Sequence, residues 1–326
     1  MTAKVVFHLP QKFVLDFEQR RHLEFYAKAK EFLEHKGADL HVVSRDKRLC
    51  DPTFGNWRSL LTDGDMHIIE NGCVQLPNAL NAAIAYIPPY WHLDGQGVLS
   101  NSMIGGQEFR QKAVNFQQAL AFFKSMRRRY VNKRRSRYTQ NRAIENIPKG
   151  AIAVFLQGSL PHEQGTAFCS SEEMLRSVLA HANGRPVVVK AHPLFDQLRD
   201  LDLMQKLQAE GYNFLTSDAN IHDILRDGAL TISFNSAVSI EGFLHRKPAV
   251  LFGKSDFHQF AETVTNPADF PAAMAKALSR KGGYAQFIYW YFHQNCFSVQ
   301  QQGFGQKLLR KFAESGFTPP KLGLCG

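Results

Sequence analysis

The sequence predicts an α/β protein made of two doubly wound halves, each a parallel sheet covered by helices. Three observations carry that expectation. Short β-branched and apolar runs alternate with stretches of helical apolar spacing along most of the chain. The rhythm breaks at Ile147-Pro148-Lys149-Gly150 and then restarts. The chain has 326 residues, enough for two domains of the usual ~100–200 residues.

Residues 4–10 (KVVFHLP) read as the first strand. Residues 16–35 have helical spacing through Leu23, Phe25, Ala27, Phe32 and Leu33, with Gly37 as a stop. Residues 40–45 (LHVVSR) are a second strand, and the β–α–β order suits a parallel sheet with a crossover helix. Residues 66–72 (MHIIENG) form a short strand ending in Glu-Asn-Gly, and residues 79–85 are small and apolar. Residues 86–97 (YIPPYWHLDGQG) are expected to be a shaped loop, because their prolines and glycines exclude regular helix. A loop bearing Tyr90, Trp91, His92 and Asp94 is a good place for chemistry. Residues 108 to about 142 read as one or two helices.

Beyond the break, strands are expected at 151–157, 186–190, 214–215, 230–234 and 249–252. Helices are expected at 172–181, 196–210, 221–226, 237–244 and 267–278. The expected organisation is therefore two Rossmann-like domains, 1–146 and 147–284, facing across a cleft. A C-terminal helical segment, 285–326, would pack back towards the first domain. Its aromatic run, residues 286–297 (QFIYWYFHQNCF), reads as part of that packing or as an amphipathic surface for lipid.

The formal net charge is +10, which favours anionic partners. Residues 124–142 (KSMRRRYVNKRRSRYTQNR) contain no acid. Such a run is either a solvated helix face or linker, or a patch for anionic phospholipid or nucleic acid. The five cysteines, Cys50, Cys73, Cys169, Cys296 and Cys325, form no C-x-x-C pair and are odd in number. That argues against a disulfide framework and a zinc site. With no apolar run of ~18 residues, the expected compartment is the reducing cytoplasm.

The residues best placed for chemistry lie in 186–253, which opens with PVVVKAHP and closes with ALTISFNSAVSIEGFLHRKPAVLFG. Ligands of open α/β sheets bind at the carboxyl ends of strands. His192 and Pro193 follow one strand directly, with Lys190 at its end, and Gln157 ends another. Asn235 and Ser236 end a third strand and open the helix 237–244, whose N-terminus can hold an anion. Ser236 is also a good N-cap, and Ser239 lies in the first turn. Glu241, one turn on, suits ribose hydroxyls or solvent. Two D-x-D matches, Asp63-Gly64-Asp65 and Asp200-Leu201-Asp202, read as solvated loop and helix residues. A G-x-x-x-x-G-K-[ST] loop is absent, and so is a convincing serine-hydrolase elbow.

The segment VVVKAHP resembles the K-P-H-P segment of the bacterial capsule polysaccharide synthesis proteins, the Kdo transferases. SFNSAVSIEGFLHRKPAVLFG is similar to their Ser/Thr-rich turn followed by G-F-E-A-L-x-x-G-K-P. In the N-terminal half, HIIENGCVQ and WHLDGQGVLS resemble their E-D-G-F and D-x-x-G-I segments. Ala191 stands in place of the proline before His192, and Asn71 in place of the acid after Glu70. The resemblance implies a GT-B glycosyltransferase that moves Kdo from CMP-Kdo to a surface polysaccharide or its lipid-linked precursor, retaining configuration by double displacement. It implies no metal and no other cofactor. It places His192 and Ser236 at the CMP phosphate, Asp94 as nucleophile and Glu70 as acid/base.

Two carboxylates suit retention without reference to the family. The other readings are a transferase using CMP-sialic acid or another nucleotide sugar, and a basic nucleic-acid-binding protein on an α/β scaffold. No recognition motif supports the latter, so no nucleic acid is expected. The implied partners are a nucleotide-sugar donor and a glycan or glycolipid acceptor. The basic segment from Arg127 to Arg137 would also hold the protein peripherally at the inner face of the cell membrane.

Overall fold

The computed structural model describes residues 2–194 and 196–324 and resolves into two compact units. One contains Met1–Gln107 and Phe292–Gly326, the other Glu108–Tyr291. The division differs from the expected boundaries near 146 and 284. The expected linker is part of the second unit, where Ile147 packs with Ala151, Phe155 and Ile224.

The first unit begins with β1 (Val5–Leu9), α1 (Glu24–His35), β2 (Leu40–Ser44) and β3 (Met66–Glu70). The helix starts later than its spacing suggests. Phe17 and Leu23 both reach the core, yet six residues along one α-helix would set them about 120° apart. The chain therefore passes 17–23 in short 3₁₀ turns. β4 (Ala79–Ile84) and β5 (Tyr90–Asp94) follow as an antiparallel pair. This corrects the expected loop at 86–97, because YWHLD alternates as a strand does. Trp91 and Leu93 face the α1 core, while His92 and Asp94 take the other face.

The second unit starts with α2 (Phe116–Arg129); residues 130–146 contain no further helix. Six short strands then alternate with helices: β6 (Ile152–Phe155), α3 (Leu160–Glu163), α4 (Ser171–Ala180), β7 (Val187–Lys190), α5 (Gln197–Ala209), β8 (Leu215–Thr216), α6 (Ile221–Asp227), β9 (Leu230–Ser233), α7 (Ala237–Leu244), β10 (Ala249–Leu251), β11 (Glu262–Thr263) and α8 (Phe270–Ser279). All the pairings are parallel, in the order β11-β10-β9-β6-β7-β8. Renumbered from β6, that is the 3-2-1-4-5-6 order of a doubly wound sheet, whose crevice lies between β6 and β9.

α9 (Tyr284–Ile288) leads into a wide π turn, Tyr289–Asn295. Its aromatic side chains are buried, with Phe287 against Phe260 at 4.6 Å and Phe109 at 5.2 Å. The lipid-surface reading of this run is thereby overturned, because a buried ring cannot enter a bilayer. The chain returns to the first unit through β12 (Phe297–Ser298) and α10 (Phe304–Glu314). There the sheet order is β12-β5-β4-β3-β1-β2, with its own switch point between β1 and β3. Among the described residues no helix is long and apolar enough to cross a membrane. Four cysteines are free thiols, and Cys325 lies outside the described residues.

Candidate active site

The crevice of the second unit is built from strand ends. Gln157, just beyond β6, reaches across it. Its Oε1 accepts the backbone N–H groups of Phe234 and Asn235, each at 3.1 Å, and its Nε2 donates to Asn235 Oδ1 at 3.0 Å. Asn235 Nδ2 in turn donates to Thr166 Oγ1 and to the Lys254 carbonyl. Both amides, expected to bind a donor, are spent on holding the crevice together. Ser239 is also turned away from the crevice. It is fully buried, and its hydroxyl meets Ser233 Oγ at 3.1 Å, because position three of α7 faces the sheet.

The remaining expected donor residues do converge. Lys190, His192, Pro193, Ser236 and Glu241 line one cavity of about 50 Å³ beside Phe155, Leu156 and Ile221. Ser236 caps α7, its Oγ accepting the Val238 N–H at 3.2 Å. The ring of His192 accepts the Leu194 N–H on Nδ1 at 3.1 Å. Burial, helped by the Arg137 charge, pulls its pKa down to about 4. The neutral ring therefore carries its proton on Nε2, as a hydrogen-bond donor. Burial likewise lowers the pKa of Lys190.

Glu241 is wholly buried, and burial pushes its carboxyl up to about 8, with only the nearby Ser136 opposing. Ser136 approaches the carboxyl as a hydrogen-bonding side chain, yet neither carboxyl oxygen completes a hydrogen bond of normal geometry. Desolvating such a group without a partner is unfavourable unless something else satisfies it.

Two contributors were not legible as site residues. Asp200, expected to be solvated, is 1% exposed and accepts the His192 N–H at 3.1 Å and the Gly158 N–H at 3.2 Å. It joins the loops after β6 and β7. The available signal was its place on the apolar stripe of α5, four residues before Met204 and seven before Leu207. The other contributor is the end of the basic run. Ser136, Arg137, Tyr138 and Gln140 close the cavity from above, and the Tyr138 ring stands edge-on to His192 at 5.6 Å.

In the first unit, Glu70 ends β3 beside the switch point. Arg45 Nη1 pairs with its Oε2 at 2.7 Å, and Asn71 Nδ2 donates to Oε1 at 2.6 Å. Asn71 sits at φ 51°, a left-handed position that asparagine tolerates. Gly72 leaves room for Asn81 Oδ1, 2.3 Å from where a Cβ would stand. Asp94 closes its own loop: Oδ1 accepts from Gln96 N at 2.8 Å, and Oδ2 from Ser102 Oγ at 2.9 Å and Met103 N at 2.7 Å. Glu70 pairs with Ala82, whose β5 partner is Leu93, whereas Asp94 pairs with Asn81. Partners across a sheet share a face and successive residues alternate, so Glu70 and Asp94 point to opposite faces. The structure does not bring the two expected catalytic acids together.

The solved structure of the Thermosulfurimonas dismutans KpsC β-Kdo 2,7 transferase is similar to this chain at a TM-score of 0.54 and 12% identity, covering 94% of this chain and 99% of that one. The β-Kdo 2,4 transferase of the same KpsC aligns at 0.48 and 12%, covering 88% and 89%. The first likeness concerns the fold: two Rossmann-like units. No curated protein matches the chain by sequence. Residues 110–271 match the family described as capsule polysaccharide biosynthesis protein, a stretch that contains the whole cavity. Through those residues, the chain is similar to the capsule polysaccharide biosynthesis proteins.

Proposed function

We propose that the protein is a glycosyltransferase that transfers Kdo from CMP-Kdo to a capsular glycan or its lipid-linked precursor. The observation that carries this reading is the convergence of His192, Ser236, Lys190 and Glu241 on one cavity at the switch point of the second unit. A neutral histidine donor, a lysine and a helix N-terminus suit a single phosphate. A protonated carboxyl with hydrogen-bonding capacity to spare suits ribose hydroxyls. The similarity to KpsC, whose structure is described as a β-Kdo transferase, supports the choice of donor. With one phosphate to neutralise, the reading calls for no metal.

In a retaining reaction a carboxylate oxygen bonds to the anomeric carbon while the phosphate leaves with the electron pair of the broken C–O bond. The acceptor hydroxyl then displaces the carboxylate, and its proton passes to a base. Glu70 is our candidate for that base. The register argues against Asp94 sharing its reacting carbon, so Asp94 is tested directly as nucleophile. Lys124, Arg127 and Arg128 line an open groove on α2, and we propose this surface, at the cytoplasmic face, for anionic lipid.

The experiment is CMP release from CMP-Kdo generated in place, with and without EDTA, beside CMP-sialic acid. Release from CMP-Kdo that EDTA leaves unchanged is expected. Release from CMP-sialic acid alone would replace the donor. The mass of Asp94→Asn after exposure to donor reports the nucleophile: a retained sugar adduct removes Asp94 from that role.

A further inference from the structure

We propose that residues 133–145 form a removable roof over the nucleotide site, and that Arg137 supplies the cation that meets the ligand's phosphate. The proposal rests on the donor reading above and extends it to a segment outside the strand-end motifs.

The roof is held at both sides and bare in the middle. Asn220 Nδ2 donates to the Arg134 and Asn141 carbonyls at 3.2 and 3.3 Å. Ile221 N donates to Gln140 Oε1 at 3.2 Å, and His222 Nε2–H donates to the Arg135 carbonyl at 2.7 Å. Arg134 pairs with the buried Asp223 at 2.5 Å, so its charge is neutralised as an anchor. Between these anchors, Ser136, Arg137 and Tyr138 line the cavity. Arg137 has no carboxylate partner among the described residues, although its charge reaches His192.

The cavity is small for a nucleotide, about 50 Å³ against the ~300–1,000 Å³ usual for small-molecule sites. Lifting of residues 136–138, which lie between the anchors, would widen it. Beneath that stretch lies Glu241, buried and without a completed hydrogen bond. The roof therefore covers a buried carboxyl with hydrogen-bonding capacity to spare and carries, on the same cavity, a cation without a carboxylate partner, the arrangement of a site that a hydroxylated anion completes. The end of the basic run thus has a role at the site: Arg134 anchors, and Arg137 faces the ligand.

The test is calorimetric binding of CMP and of cytidine to the full chain, with hydrogen exchange of its peptides. Arg137→Gln is expected to weaken CMP at least about tenfold and to leave cytidine unchanged, because only CMP carries the phosphate. Arg142→Gln, an exposed substitution on the same segment, is expected to match wild type. CMP is expected to change exchange in 133–141 and not in 116–129. Equal CMP affinity for Arg137→Gln and wild type, an equal loss in Arg142→Gln, or unaltered exchange in 133–141 overturns the roof alone. A wild-type chain that takes up no CMP overturns the donor reading and the roof with it.

Discussion

Asp200 holds the backbone of His192: its Oδ2 accepts the His192 N–H at 3.1 Å, while both oxygens reach the Gly158 N–H at 3.2 Å. One buried acid on α5 thus sets the distance between two strand-end loops of the second unit's crevice. It acts through the backbone and is a positioning residue.

Burial raises the carboxyl of Asp200 from 3.8 to about 6 in the folded chain, against the pull of those two amides. Between about pH 4 and 6 the unfolded chain releases a proton that the folded chain keeps, so stability falls as pH rises. Below that window the effect vanishes; above it the full penalty, at most about 3 kcal/mol, is present. Urea denaturation of Asp200→Asn from pH 4 to 7 is expected to show a shallower loss of stability than wild type. A parallel pair of curves would disprove the assignment.

Glu241 works in the same direction over a wider window, because its folded value lies at about 8 against 4.5. Stability is expected to fall as pH rises from about 4.5 to 8. Glu241→Gln, equal in shape and never ionised, should be more stable at pH 8 by about 2–4 kcal/mol and unchanged at pH 4. The same substitution should weaken cytidine binding. A variant no more stable than wild type at pH 8 would show that the carboxyl finds a partner in solution.

Asn220 serves two elements at once. Its Oδ1 caps α6 through the His222 N–H at 2.9 Å, and its Nδ2 holds two carbonyls of the basic segment. Asn220→Ala is expected to destabilise by about 1–2 kcal/mol, combining a lost cap with two part-buried carbonyls left without their donor. Trypsin should then cut sooner after Arg135, Arg137 and Arg142. Asn220→Asp keeps the cap but loses the donor. If its cleavage is as slow as wild type, the anchor lies elsewhere.

Gly305 lets α10 lie against α1. A Cβ there would stand 2.1 Å from the Phe32 ring. Gly305→Ala is expected to cost about 1–3 kcal/mol through overpacking, measured by denaturation. Pairing it with Phe32→Leu should recover part of the loss, since the ring is the obstacle.

Much of the fold is legible because its elements are short, buried and parallel. VVVK, LTIS and AVL are runs of β-branched or apolar residues that only a sheet covered on both faces can bury. The helix Ala237–Leu244 stands where its N-cap serine and following proline place it. The hairpin at 79–94 was not legible, because its prolines read as a loop while Trp91 and Leu93, alternating with His92 and Asp94, pair as a strand. The site divides in the same way. His192, Ser236 and Glu241 follow from the rule that ligands meet strand ends. Gln157, Asn235 and Ser239 have the right chemistry at the right ends, yet their side chains are consumed by neighbours.

By itself, the sequence determined the alternation of strands and helices, the basic excess and the strand-end residues of the second unit, since each depends on local spacing and composition. Only the tertiary structure decided which side chains face the cavity, because that depends on hydrogen-bond partners distant in sequence. Asp200 is 42 residues from Gly158, and Asn220 is 86 from Arg134. It likewise decided that Glu70 and Asp94 part to opposite faces, because strand register converts a step of one residue into a change of side.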